Sequence, residues 1–469
     1  MTTTLQTAAH PGAPAGSPGL FSTRSKESLP ITVAHTSGAS ILQVVLAVLT
    51  TSLLARALGP AGKGRYDICL ATAQLFYTCL AFSLPAGITY IVASGHRHTH
   101  RLAWLGYGWA GVQTLTTYIV LHAIQTWGLL RTLVPPELGE AAILLVSLTV
   151  GITTVAAWNR SILIGLHAFL RANMTDVLRP ICGITLIIVI AVVASGSVTL
   201  KLVLLFLTAN AAAGAIAGFF YQRGIRPQTS PRDVAASREV VRYCLPAFTG
   251  DVFQFLNYRF GLFAVSYWAG VGSVGLLQSA AFVSQALWLF PQALAAVIFP
   301  ITISATARRE DTSQLNATSA RIALWLSIAC GSALAATAPL FVPMFFGARF
   351  YPAVQLLWLL LPGSVIFSLS KVLASFLGGI GQPKWNCYGS AVGAAVTVLL
   401  ALVLVPKYGA RGAAVATTAS HICNSAVLTF AFGRHTRVPL RRILVLQGED
   451  IPRLKLLAVK TARGIGRYA

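Results

Sequence analysis

Apolar residues recur along the chain in stretches of roughly 20 or more, divided by short breaks that carry charges, glycine or proline. A helix needs about that length to cross the ~30 Å hydrocarbon core of a bilayer. The strict alternation of a membrane β-barrel is absent. Several runs are apolar on every side, so helices are the spanning structure that satisfies the backbone. The pattern predicts an all-α, polytopic membrane protein with twelve transmembrane helices near 34–56, 68–93, 102–126, 141–166, 178–195, 199–221, 244–268, 273–303, 320–346, 353–379, 385–406 and 410–433.

Composition supports the same class: 55% of residues are hydrophobic and 10% charged, with a mean hydropathy of +0.71. The net charge of +23 would suggest nucleic acid in a water-soluble protein, but its distribution argues against that. With the N-terminus in the cytoplasm, the outer connections hold only Arg56, Lys63, Arg65, Arg131, Lys201, Arg349, Lys407 and Arg411 of the 35 Lys and Arg residues. Arg259 and Lys371 fall inside spans, and the rest lie on the inner side. This asymmetry expects both termini in the cytoplasm, an even number of spans and attraction to anionic membrane lipid, with no nucleic-acid partner.

The domain reading is a disordered tail at 1–28, a first lobe of helices 1–6 at 29–221, and a basic linker at 222–243. A second lobe of helices 7–12 follows at 244–433, then a basic, membrane-surface tail at 434–469. Offsetting the second half by 211 residues aligns Gln43 with Gln254, Gly59 with Gly270, Gly64 with Gly275 and Gln74 with Gln285. Two parallel halves of this kind enclose a central lumen that opens alternately to each side.

An arginine at the depth of Arg259 costs several kcal/mol unless it faces water or a counter-charge, so it either binds an anionic substrate or forms a structural ion pair. Its guanidinium suits a diphosphate. Asp251, eight residues earlier, is a candidate for a coupling proton or cation, or else caps local structure. Lys371 either contacts substrate in the lumen or snorkels to the headgroups. Gln43, Gln254 and Asn257 are interhelical hydrogen-bonding groups or sugar ligands. Arg56 is an interface anchor or an exit-side phosphate contact. Pro85, Pro291 and Pro362 are among the prolines expected to kink spans, and the Gly214/Gly218 and Gly389/Gly393 pairs are expected to allow close packing.

The seven cysteines read as small buried hydrophobes, and the histidines between His96 and His100 as a solvated basic turn, so no metal site is expected. No cofactor is implied. No Walker motif is present, and twelve acidic residues without a paired-carboxylate constellation argue against an enzyme.

The segment from Ser52 to Tyr66, with Ala55-Arg-Ala-Leu-Gly-Pro-Ala-Gly62, resembles the first outer turn of the oligosaccharide and polysaccharide flippases of the multidrug/oligosaccharidyl-lipid/polysaccharide exporter superfamily. Leu256-Asn-Tyr-Arg259, Leu287-Trp-Leu-Phe-Pro-Gln-Ala-Leu294 and Leu404-Val-Pro-Lys-Tyr-Gly-Ala-Arg-Gly412 extend the resemblance, in order, over roughly 29–433. It implies a V-shaped pair of six-helix lobes around a cationic lumen. It also implies transfer of an undecaprenyl-diphosphate-linked glycan from the inner to the outer leaflet of a bacterial cell membrane, alongside a polymerase and glycosyltransferases. A multidrug or small-molecule exporter of the same superfamily is the alternative, ahead of a membrane polymerase or ligase. One departure is Gly261, where such proteins often carry an acid two residues after the arginine; its absence leaves Arg259 uncompensated or with another partner.

Overall fold

The computed structural model describes residues 29–93, 99–127, 139–166, 168–193, 200–223 and 236–448. The expected N-terminal tail at 1–28, the histidines at 96 and 98, most of the basic linker and the tail from 449 onward lie outside these residues. Among the described residues the secondary structure is helical, with no strand. The helices are α1 (Leu29–Ala81), α2 (Leu84–Ala93), α3 (Thr99–Thr126), α4 (Gly139–Gly165), α5 (Phe169–Val193), α6 (Leu200–Arg223) and α7 (Ala236–Ala269). They continue with α8 (Val271–Gln285), α9 (Leu289–Ala307), α10 (Ser313–Phe346), α11 (Ala353–Gly379), α12 (Lys384–Tyr408), α13 (Ala410–Thr436) and the short α14 (Leu440–Leu444). Seven segments among the described residues are long and apolar enough to cross a membrane by length and composition.

At about 80 Å, α1 is far too long for a single crossing. It is divided at Gly59 (φ 65°, ψ −179°), with Pro60 opening the second arm. Proline fits there because a first-turn N–H needs no intrahelical partner. The second traversal is α1 beyond Gly59 plus α2, broken at Phe82 and Ser83, and the eighth is α8 plus α9, broken by a 3-10 turn at Ala286–Trp288. Counted this way, the helices of the described residues correspond to the twelve expected spans. Pro85 and Pro291 sit in the first turns of α2 and α9, where the helices restart, while Pro362 lies within α11.

The first outer turn differs from the expected loop at 57–67, because it narrows to Gly59 alone. Lys63 is therefore helical, 4% exposed and ion-paired with Asp67 one turn on. Similarly, α5 begins at Phe169 rather than near 178, which carries Arg171 into a helix. Arg160, inside the expected fourth span, lies in α4 and donates from Nε to Asp176 at 2.7 Å. Both differences arise because hydropathy windows assign charged turns of helix to loops.

Helices α1 to α6 pack mainly among themselves, as do α7 to α13, and α1 with α2 meets α7, α8 and α10 across the middle. The first lobe is cored by Cys69, Leu121, Ile143, Val146, Val150 and Leu204. The larger core of the second lobe, around Leu262, Val274, Phe346, Phe350 and Leu357, takes in Ala55, Ile68 and Ala71 of α1. The lobes thus share apolar packing near the Gly59 and Gly270 turns. Gly214 and Gly389 allow close packing as expected, Gly214 against the Arg179 side chain and Gly389 against Asn424 and Leu428.

The two halves meet through their backbones. A Cβ on Gly64 would collide with the Val271 carbonyl oxygen and lie 3.0 Å from the Gly275 nitrogen; a Cβ on Gly275 would collide with the Pro60 carbonyl oxygen and lie 2.9 Å from the Gly64 nitrogen. The contact is reciprocal at the same 211-residue offset. Gly59 and Gly270 match as well, with φ of 65° and 79° and extended ψ.

Gly275→Ala therefore forces α1 and α8 apart. The expected cost is about 1–3 kcal/mol, read as a lowered thermal midpoint of the purified protein. Gly272→Ala, where a Cβ meets nothing within 4 Å, should leave the midpoint nearly unchanged.

Candidate functional site

Between the lobes lies a cavity of about 450 Å³. Its first-lobe wall is the second arm of α1 and the start of α2, with Gln74, Tyr77 and Ser83; its second-lobe wall is α7 and the end of α8, with Asp251, Gln254, Tyr258, Arg259 and Gln285. Helical geometry explains why these residues converge. Gln74 and Gln285 each stand ten residues, about 15 Å, beyond the paired Gly64 and Gly275. Arg259 stands the same distance back from Ala269 at the end of α7.

Arg259 donates from Nε to Gln74 Oε1 at 2.9 Å, across the lobe boundary, and from Nη1 to Gln278 Oε1 at 3.1 Å. Both acceptors are neutral amides. Asp67 is close enough to interact electrostatically, but it is ion-paired with Lys63. The guanidinium thus faces the cavity with a positive charge that no direct acid partner cancels, and its remaining donors lie beyond these two bonds. Gly261 points toward Ala413 of α13, 3.7 Å from a Cβ built on it. A side chain there would face the lobe interior rather than the cavity.

Asp251 sits about 12 Å along α7 from Arg259. Its Oδ2 accepts the Ser83 hydroxyl at 2.6 Å. Ser83 also offers its carbonyl to Cys244 Sγ at 3.5 Å, and its neighbour Phe82 stacks on Phe248 with ring centroids 4.2 Å apart. The break between α1 and α2 is therefore fastened to α7 at three points. Phe82 and Ser83 both have left-handed φ, 52° and 51°, without being glycine.

Of the other expected residues, Gln254 lines the cavity and hydrogen-bonds Tyr258 one turn on. Lys371 is half-buried beside that wall, with Nζ 3.5 Å from the Tyr258 hydroxyl and about 5 Å above the Trp288 and Phe367 rings (5.0 and 4.9 Å). Asn257 turns into the second lobe, where its Oδ1 accepts from Thr397 at 3.2 Å and Ser420 at 2.7 Å. Arg56 lies at the Gly59 turn, donating to the Phe345 carbonyl at 3.0 Å and to Met344. It thereby caps the C-terminal end of α10. Gln43, partly buried in α1, is not among the cavity-lining residues.

Some of the cavity chemistry escapes sequence reading. Gln278, seven residues before Gln285 and so on one face of α8, is a neutral residue in an apolar run. His421, 3% exposed, stacks on Phe367 with centroids 4.5 Å apart, and neither ring nitrogen has a hydrogen-bond partner among the described residues. Among the described residues no cluster of His, Cys, Asp or Glu is arranged to hold a metal.

Residues 32–306 match the model of the family described as polysaccharide biosynthesis protein. Over 225 residues the chain is 26% identical to the probable multidrug resistance protein NorM of Thermotoga maritima, a match covering 44% of this chain and 47% of that protein. It thus spans about half the length of this curated relative. The fold is similar to the lipid II flippase MurJ in an inward closed conformation, with a TM-score of 0.69, 15% identity, and 91% of this chain and 92% of that one covered. It is also similar to an inward-facing multidrug resistance MATE family transporter of the MOP superfamily, with a TM-score of 0.68, 15% identity, and 86% and 98% coverage. A MOP superfamily transporter from Pyrococcus furiosus aligns with a TM-score of 0.62 and 16% identity over 87% and 95%.

The surroundings of Asn257 and Arg259 predict opposite consequences for two residues on one helix. Asn257→Ala strands the Thr397 hydroxyl, while Ser420 keeps the Gly393 carbonyl as a partner at 2.8 Å, and should cost about 1–3 kcal/mol, seen as a lower thermal midpoint. Arg259→Gln removes a desolvated charge and should leave the midpoint unchanged or raised.

Proposed function

Since the chain belongs to the polysaccharide biosynthesis protein family, we propose that it flips a polyprenyl-diphosphate-linked oligosaccharide or polysaccharide unit across the membrane. In this reading it is a multi-pass transporter of the MOP superfamily, and the cargo and its direction are the finer part of the proposal. The two lobes alternate around the cavity, and Arg259 grips the diphosphate. The observation that carries this reading is the Arg259 guanidinium, which faces a 450 Å³ cavity between two neutral glutamines. A guanidinium binds phosphate oxygens through paired donors and stays charged throughout the cycle. In a low-dielectric cavity that attraction is stronger than in water and offsets part of the cost of removing a diphosphate from it.

Gln74, Gln254, Gln285 and Tyr258 supply neutral hydrogen-bonding groups suited to sugar hydroxyls. As Arg259 exchanges Gln74 for phosphate, the bond that ties it to the first lobe is released, so cargo binding and lobe movement become coupled. Asp251 and Ser83 serve as the latch that parts when the cavity opens on their side. In this reading the cargo moves from the inner to the outer leaflet of a bacterial cell membrane, with both termini cytoplasmic. Glycosyltransferases supply the cargo and a polymerase consumes it.

A multidrug exporter is the second reading, favoured by the partial match to the NorM relative. The two differ in the charge of the cargo. Reconstituted in liposomes, the wild type should move a fluorescent polyprenyl-diphosphate sugar between leaflets. Arg259→Ala should slow this at least about tenfold, the equivalent of ~1.4 kcal/mol, and Arg259→Lys should restore part of the rate. Faster export of a cationic dye by Arg259→Ala, with no sugar transfer by the wild type, would favour the exporter.

A further inference from the structure

A second concavity, of about 780 Å³, lies on the membrane-facing side of α11 and α13, closed at one end by α14. Its walls are apolar, with Leu369 of α11, Ile422, Ala426 and Phe430 of α13, and Leu440 of α14. Ile422, Phe430 and Leu440 are 40, 61 and 55% exposed. The carbonyls of Arg442 and Leu444 accept from Arg321 and Trp325 of α10 (2.8 Å for Trp325), which ties α14 down as a fixed wall. This groove is separate from the transport cavity. Ser370 and Ser425, joined by a hydroxyl hydrogen bond at 2.6 Å, link α11 to α13 between the groove and the second-lobe aromatic cluster.

The mouth of the groove is cationic. Arg434 and Arg437 line it at the end of α13, and both are exposed. Arg437 holds a left-handed φ of 56°, and its N–H closes the helix on the Gly433 carbonyl at 2.9 Å. This conformation is unusual for a residue with a Cβ. Among the described residues neither arginine takes part in an ion pair. Arg441 and Arg442 on α14 add to the same positive field.

We propose that this groove is a binding site for one anionic phospholipid, its acyl chain lying along the α11–α13 walls and its phosphate held by Arg434 and Arg437. Water finds few polar partners along the walls, where the Ser425 hydroxyl is already bonded to Ser370 and Thr429 is the other polar group, whereas a lipid chain is the apolar material at hand. Paired guanidiniums at a headgroup level select a phosphate, and a net negative headgroup over a zwitterionic one. The chain's own segment from 449 to 469 is a poorer occupant. It carries Arg453, Lys455, Lys460, Arg463 and Arg467 against Glu449 and Asp450, so its net positive charge is repelled by the rim. The two arginines also complement the dipole at the end of α13, but that role needs no groove beside them. The proposal is independent of the identity of the transported cargo.

The test is native mass spectrometry of the full chain, purified in dodecyl maltoside and supplied with equal amounts of phosphatidylglycerol and phosphatidylcholine of matched chains. The wild type should retain one phosphatidylglycerol in preference to phosphatidylcholine. Ala426→Phe, which fills the groove from its exposed face, should abolish retention of either lipid. Arg434→Gln with Arg437→Gly, the glycine keeping the left-handed turn, should lower phosphatidylglycerol retention about tenfold or more and erase the preference. Thermal midpoints of the variants should match the wild type. No lipid retained by the wild type, equal retention of the two lipids, or retention unchanged in both variants would overturn the proposal.

Discussion

The contact of Gly64 with Gly275 is the constraint from which the arrangement of the lobes follows. Two helices can bring their backbones this close only where both lack a side chain, and here each glycine lies against the carbonyl of the other helix's first residue. The approach fixes the crossing of α1 and α8 near one end of the molecule. Beyond it the helices continue inward at 1.5 Å per residue, and each carries a glutamine to the same depth. The cavity begins where the two helices have room for those side chains. Arg259 reaches it because α7 ends beside the same turn, at Gly270, so that three helices count their depth from one face.

At that depth the second determinant is electrostatic. Amide oxygens stabilise a guanidinium without neutralising it, whereas a carboxylate in direct contact would have spent the charge inside the protein. The acid nearest in effect, Asp67, is held by Lys63, and that pair is buried within α1 on its own account. Amides at 74 and 278 leave a cation available at the wall of the cavity. Asp251, the acid that does line the cavity, is kept about 12 Å away along α7 by helix geometry and engaged by Ser83.

What could be read from the sequence follows the physical strength of each signal. Hydrocarbon thickness imposes a run length, so the twelve traversals were visible, as was the pairing of the halves through Gly59 with Gly270 and Gly64 with Gly275. Arg259 was conspicuous because a charge inside an apolar run has few innocent explanations. Lys63 was not, since a charged turn at a span end reads as loop until the packing at Gly64 draws it into the helix. Arg56 and Asn257 stood out by polarity, yet polarity alone does not tell a carbonyl cap or an interhelical bond from a cavity wall. Gln278 and His421 are single neutral polar positions within apolar helices, and only the facing helices give them a setting.

The break at Phe82 and Ser83 bears on how firmly the two lobes are held together. Two non-glycine residues in the left-handed region store about 1–3 kcal/mol each. The stacked phenylalanines and the serine–aspartate bond that hold them contribute on the order of the same amount. The opposing quantities nearly cancel, so the latched state is neither a deep well nor a hill. The alternation proposed for the two lobes would be served by such levelness. If the cargo is the proposed diphosphate, a phosphate on Arg259 would act against this small difference, while the corresponding break of the second lobe is an unstrained 3-10 turn.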